Sequence, residues 1–291
     1  MKVDPACFPC ALSRSLCTAR RITDDAWLHH RLLDAAMQEL VDSRKDVSPA
    51  EIIFALEGVI SKTLGAHDPY QSLREEWHVE LEAFHDKVEG WVASDDRPLR
   101  AACRIAAQAN VFDDELLTRR QLRAELKTIG RDDQPAKFVH ADFDIFEEEL
   151  QNAESLLFLH DSGPELLFDR ELFRNLTRFR PELRITSVVR HGPVLLDAIA
   201  SDAERYGLAE LEGVEAIIDP GIDALGLPLN ECSREFRERF DAADIVLAKG
   251  QAHFETLKGC GRHIYHLMRV KCGVMAKVQG CDVGDLVFLR S

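Results

Sequence analysis

From Phe143 onward the chain alternates short apolar runs with amphipathic stretches, and this alternation leaves few architectures open to it. Residues 155–159, 184–189, 214–218 and 245–248 have strand length and little polarity, as strands covered on both faces do. Between them, residues 165–179, 197–206 and 231–240 carry helical spacing. Strand and helix in turn predict a mostly parallel sheet with right-handed crossovers. The last segment adds short candidates at 263–268, 274–278 and 286–289.

The first half reads differently. Residues 24–41 place Trp27, Leu28, Leu32, Leu33, Ala36, Met37 and Leu40 on one helical face. Residues 48–64 repeat the pattern behind a marked start. Ser48 can cap, Pro49 suits the first turn and Glu51 completes a capping box. Residues 70–92, 97–110 and 114–129 are read as three further helices, and the polar stretch 130–135 as a linker. The expected organisation is α/β: a helical domain over residues 1–150 and an α/β domain over 151–291.

At 291 residues with 46% hydrophobic side chains, the chain has material for a real core. Its formal charge of −15 repels a polyanionic backbone, which argues against nucleic acid as a partner. No apolar run approaches the roughly 20 residues that span a bilayer, so no membrane association is expected. The opening residues, Met1 to Cys7, lack the basic and apolar regions of a signal peptide. Eight scattered cysteines do not make a disulfide scaffold, and a cytoplasmic protein with reduced thiols is the expectation. No signal of oligomeric state is read.

In open parallel sheets, ligands bind beyond the carboxyl ends of the strands. Three strand ends carry unusual polar content: His160-Asp161-Ser162-Gly163-Pro164-Glu165, Arg190-His191-Gly192-Pro193 with Leu196-Asp197, and Lys249-Gly250-Gln251-Ala252-His253-Phe254-Glu255. The fourth, Asp219-Pro220-Gly221, reads as an ordinary turn. Asp161 and Asp197 fall at equivalent points of separate βα connections. Two carboxylates meeting in one crevice call for a divalent cation between them. Lys249 adds positive charge beside Gly250, where a backbone can approach a ligand closely. Cation, lysine and helix amino termini together describe a site for a phosphate ester, with a metal-activated water attacking in line. Singly, each Asp also reads as the cap of the helix that follows it, and Lys249-Gly250 as a common strand-to-helix turn.

These loops resemble the damage-control phosphatase family, which includes proteins named acidic-residue methyltransferase-like. The family's first loop typically reads Asp-Asn-Ala-Gly-Glu, here Asp161-Ser162-Gly163-Pro164-Glu165. Its second has Pro, two apolar residues, Asn-Asp and a further Asp-Ala, here Pro193-Val194-Leu195-Leu196-Asp197 followed by Asp202-Ala203. Its third, Lys-Gly-Gln-Ala-Asn-Phe-Glu-Thr, is Lys249-Gly250-Gln251-Ala252-His253-Phe254-Glu255-Thr256. Val270-Lys271-Cys272, Asp68-Pro69-Tyr70, Ala109-Asn110-Val111-Phe112-Asp113 and the opening Cys7-Phe8-Pro9-Cys10, typical of one microbial branch, match as well.

The resemblance implies a helical domain plus a three-layer α/β domain, and divalent-metal-dependent hydrolysis of small phosphorylated metabolites. Carried over by position, the metal ligands are Asp161, Ser162 and Asp197. Lys249 and Gly250 fall near the phosphate, and Asn110 and Asp113 are candidates for the substrate pocket. Three positions normally Asn are Ser162, Leu196 and His253. An imidazole from His253, joined by His160 or His191, would favour a transition metal such as manganese, cobalt, nickel or zinc over magnesium. Two functions follow: an active phosphatase with a retuned metal site, or a member that has lost catalysis and binds a phosphometabolite or metal as a sensor. Methyl transfer finds no glycine-rich fingerprint for a nucleotide-type donor.

Cys7 and Cys10 form a C-x-x-C with Cys17 beyond, but no second pair at zinc-site spacing accompanies them. A redox pair is an alternative, but no βαβ pattern follows the motif, and packing at a helix start is their expected role. Cys260, Cys272 and Cys281 are not tied to Cys7 by spacing, and Cys103 and Cys232 read as filler.

Overall fold

A computed structural model describes residues 1–43, 46–114, 116–130 and 137–291. The first three helices, α1 (Cys7–Ile22), α2 (Ala26–Asp42) and α3 (Pro49–Leu64), pack on one another around Ala11, Ala36, Leu40, Ile52 and Leu56. The start of α3 is as the sequence predicts: Glu51 N–H donates to Ser48 Oγ (3.2 Å), and Ser48 N–H to the Glu51 carboxylate (2.7 Å).

Two expected helices are shorter than read. Residues 70–92 form α4 (Gln71–Glu82) and α5 (His85–Ala93). The chain turns at Ala83 and Phe84, which lets Trp77 and Leu81 of one and Val88 and Val92 of the other enter the same core. After α6 (Pro98–Ala109) and a tight turn at Asn110–Asp113, the stretch 114–129 holds only α7 (Arg119–Leu126). Its start is fixed downstream because Thr118 and Gln121 form the capping box. Of the expected linker, residues 131–135 lie outside the described residues.

Seven strands form one sheet: β1 (Phe138–Ala141), β2 (Ser155–Leu159), β3 (Arg184–Val188), β4 (Val214–Ile218), β5 (Ile245–Lys249), β6 (Tyr265–Arg269) and β7 (Leu286–Arg290). Their order is β1-β7-β6-β5-β2-β3-β4, and every pair is parallel except β6 with β7. The sheet thus recruits β1 from before residue 150, followed by α8 (Phe143–Asn152). Between and beyond the strands run α9 (Leu166–Phe179), α10 (Ala200–Arg205), α11 (Arg234–Ala242), α12 (Gln251–Leu257) and α13 (Gly273–Gln279). The segment 274–278, expected beside two strands, is therefore helical. Cys272 Sγ caps Met275 N–H (3.4 Å), and Gly280 closes the helix in the left-handed region at φ 68°.

Side-chain alternation sorts the central strands into two faces. Leu156 and Phe158 of β2, and Ile245 and Leu247 of β5, enter the large core shared with α6 and α9. Leu157, Leu159, Val246 and Ala248 enter a second core with Phe236 and Phe240 of α11. These are the three layers of an α/β/α stack. Among the described residues no helix is long and apolar enough to cross a membrane.

Candidate active site

The loops after β2 and β3 are tied together by their backbones. Ala198 N–H donates to Asp161 C=O (2.8 Å) and Gly163 N–H to Leu196 C=O (2.9 Å), with Ser162 paired opposite Asp197. Asp161 and Asp197 therefore reach one cavity of about 530 Å³, which Asp113 and Lys271 also line. Neither acid caps a helix. α9 begins at Leu166 behind Glu165, and the amide at the head of α10, Ile199 N–H, is taken by Asp202 (3.0 Å).

The second loop is held from the helical half. Leu195, at φ 46°, is the one non-glycine with a left-handed backbone among the described residues. Arg74, itself buried, donates one Nη to Leu195 C=O (2.8 Å) and the other to Asp68 (2.9 Å). The Asp68-Pro69-Tyr70 segment thus serves to fix the loop that carries Asp197. Gly250 makes the third loop possible. A Cβ on it would lie 1.9 Å from Asp161 Oδ2, and its φ is +84°.

Asp113, Asp161 and Glu165 offer carboxylate oxygens all within 4.8 Å of one another. Asn110 organises them from the end of α6. Its amide donates to Asp161 Oδ2 (2.7 Å) and to both Glu165 oxygens (3.1 and 3.2 Å), while its oxygen accepts from Arg269 N–H (3.2 Å). Burial pushes Asp161 well above the usual carboxylate range, Asp113 pushes it further, and Lys271 pulls it back. Burial also raises Glu165, against the pull of Lys249. Three crowded acids whose charge is resisted suit a divalent cation, which prefers such hard oxygen donors. In this structure the positive charge there is Lys271, whose Nζ contacts Asp113 and lies 3.8 Å from Asp161 Oδ2. Burial works against its charge, but these acids hold its pKa above the ordinary lysine value.

Asp197 stands beside this group with its own cation. Arg190 Nε donates to Asp197 Oδ2 (2.8 Å), and no hydrogen bond reaches Oδ1 among the described residues. Burial raises Asp197 to about 6, with Arg190 opposing the rise. His253 lies behind: Nδ1 donates to Lys249 C=O (2.7 Å), so Nε2 is the atom that faces an Arg190 N–H at 3.4 Å. Burial, then Arg190, depress its pKa to about 3. Its lone pair is directed at arginine rather than at the carboxylate group.

Lys249 is sealed off as well. Its ammonium, with no exposure, donates to Glu165 (2.6 Å) and Asp169 (2.7 Å). His160 bridges Asp169 (2.8 Å) and Ser187 (2.9 Å) in the same buried chain, and Ser162 Oγ donates to Glu165 (2.8 Å). His191 stays exposed near Asp219 at 3.8 Å, and Asp219 accepts from Gly221 N–H (2.7 Å) in the turn expected there. Of the sequence candidates, Asn110, Asp113, Asp161, Ser162, Asp197 and Gly250 come together at the acidic group. Lys249 and His253 support it from behind. Sequence reasoning did not single out Lys271, Glu165 or Arg190 for a role, although each lies inside a loop or motif already quoted.

Comparison with known proteins agrees with this geometry. A family model described as the damage-control phosphatase ARMT1-like domain matches residues 3–287. An uncharacterized protein of Methanocaldococcus jannaschii is 29% identical, over 100% of this chain and 96% of its own length. A damage-control phosphatase of Pyrococcus horikoshii is 29% identical over 100% of this chain and 99% of its own. Another of Archaeoglobus fulgidus is 26% identical over 99% and 98%. The crystal structure of a DUF89 family protein from Pyrococcus horikoshii superposes with a TM-score of 0.83 at 27% identity, covering 100% of this chain and 99% of that one.

Proposed function

Because the chain belongs to the damage-control phosphatase ARMT1-like family, we propose that it is a divalent-metal-dependent phosphatase acting on a small phosphorylated metabolite. The observation that carries this reading is the group of Asp113, Asp161 and Glu165, with oxygens within 4.8 Å, of which Asp113 and Asp161 line a cavity beside Lys271 while Glu165 lies buried behind them. Asp113 and Asp161, with Asp197 adjacent and Glu165 behind them, would hold the ion. An all-oxygen set, with the imidazole of His253 turned to Arg190, favours manganese or magnesium over nickel or cobalt. When bound, the ion polarises the phosphoryl group and lowers the pKa of a water ligand.

This chain's own groups supply the rest. Lys271, at the cavity wall beside Asp113 and Asp161, is placed to bind a phosphoryl oxygen. Asp197, raised by burial to about 6 and with no hydrogen bond to Oδ1 among the described residues, is placed to accept a proton from the attacking water. The aliphatic walls from Ile53, Leu116, Leu195 and Leu225 exclude bulk water around the leaving group. The site is altered relative to the family pattern because Ser162 serves Glu165, Leu196 is buried and His253 serves Arg190. The test is hydrolysis of a panel of phosphate esters with each of manganese, magnesium, nickel and cobalt. Multiple turnover that disappears in Asp161→Ala is expected, and no hydrolysis above that variant would overturn the proposal.

One observation favours a second reading. Both acidic positions already carry protein cations, Lys271 against Asp113 and Asp161, and Arg190 against Asp197. A sensor with such a self-neutralised site would be stabilised by ligand without turning it over.

A further inference from the structure

The opening C-x-x-C is not used by the hydrolytic reading, yet it lies in the same cavity. Helix α1 opens on Cys7, so Cys7 and Cys10 stand one turn apart at its start. Residues three apart on a helix hold their Cβ atoms roughly 5–6 Å from each other. A disulfide needs Cβ atoms about 3.5–4.5 Å apart, so the two cysteines must draw together by about 1–2 Å, which the first turn of a helix can supply, for the sulfurs to bond. Both side chains line the acidic cavity, as does Cys272, whose chain neighbour Lys271 faces Asp113 and Asp161.

The thiols are unequal in a way that orders their chemistry. Cys10 is exposed, whereas Cys7 is half-buried. Burial raises the Cys7 thiol above its ordinary range, against a backbone hydrogen bond from Asp4. Cys272 Sγ is occupied, accepting from Met275 N–H at 3.4 Å and Gln251 Nε2 at 3.6 Å. The accessible thiol attacks first and its half-buried neighbour resolves.

We propose that Cys7 and Cys10 are a reversible dithiol–disulfide couple built into the wall of the acidic cavity, oxidised by low-molecular-weight disulfides. The Cys10 thiolate attacks one sulfur of the small disulfide, forming a mixed disulfide and releasing one small thiolate. The Cys7 thiolate then attacks Sγ of Cys10, closing the Cys7–Cys10 bond and releasing the second. The two protons lost by the cysteines end on the two released thiols, and two electrons pass from protein to reagent.

The test uses the full chain in buffers of fixed oxidised-to-reduced glutathione ratio, followed by alkylation and tryptic mass analysis. Residues 3–14 form one tryptic peptide that holds Cys7 and Cys10 but excludes Cys17. In oxidising buffer this peptide should be lighter by two hydrogens and refuse alkylation, and in reducing buffer it should take two alkyl groups. Cys7→Ser should trap glutathione on Cys10. Cys10→Ser should slow glutathione capture at this peptide by at least about tenfold. Two alkylatable thiols persisting in oxidising buffer, or Cys10 found bonded to Cys17 or Cys272, would overturn the proposal. The readout is mass rather than hydrolysis, so failure here leaves the phosphatase reading standing, and the reverse holds too.

Discussion

Two lysines divide the polar heart of this molecule into a sealed half and an open half. Lys249 has no exposure and two carboxylate partners, Glu165 and Asp169, with His160 and Ser187 completing the chain behind it. Lys271 lines the cavity, keeps about 16% of its side chain exposed, and faces Asp113 and Asp161. Glu165 belongs to both halves, which is how the sealed side positions the open one. The difference teaches that a buried charge surrounded by fixed partners is scaffold, whereas the same charge type at a cavity wall can exchange its partners.

The largest expected effect tests the sealed half. Lys249→Met strands Glu165 and Asp169 in an apolar interior and should cost about 3–5 kcal/mol in urea denaturation. A smaller loss would show that the network is wetter than its burial indicates. The open half should respond in the opposite manner. Lys271→Met should lower kcat/KM by about 10²–10³-fold and, with manganese bound in its place among the acids, should cost less stability than Lys249→Met. It should also tighten manganese binding, measured by calorimetry, since the ammonium no longer competes for Asp113 and Asp161. Equal damage to fold from the two substitutions would break the comparison.

A third prediction concerns pH. Asp197 sits near 6, raised by burial and restrained by Arg190. Activity that needs its ionised form should rise with pH through that region. Removing the opposing cation raises the pKa further, so Arg190→Met should move the acidic limb upward by about one unit or more. A limb that stays in place would detach Asp197 from the reaction. The smallest expected effect is at Ser162, where Ser162→Ala removes one hydrogen bond to Glu165 and should cost about 1 kcal/mol. Turnover should fall only a few-fold, because the hydroxyl serves Glu165.

Much of this was legible in the chain, for identifiable reasons. β2 coincides with the run 155–159, since a strand covered on both faces writes itself as a nearly unbroken apolar segment, and β4 coincides with 214–218 although it is a half-buried edge strand interrupted by Glu215. β1 was missed because Phe138–Ala141 is an edge strand of alternating burial, too short for periodicity to register. The helix α13 was passed over because Val274, Met275 and Ala276 fit either element, and a sulfur cap from Cys272 decided the matter. The convergence of Asp161 and Asp197 followed from the strand-end rule. The placing of Lys249 did not, although the signal existed: it shares parity with Ile245 and Leu247, whose face α9 covers. Alternation alone points its ammonium under that helix.

The cavity has a floor and a roof of different origin. Asp113, Asp161 and Asp197 come from the turn after α6 and the loops after β2 and β3, while Cys7, Arg14, Pro49, Ile53, Val274 and Lys277 come from α1, α3 and α13. Changes overhead leave the Asn110–Asp161–Glu165 hydrogen bonds below untouched. Descendants of one ancestor can thus inherit the same reactive bed and fit new canopies over it, diverging in appetite while the chemistry beneath stands still.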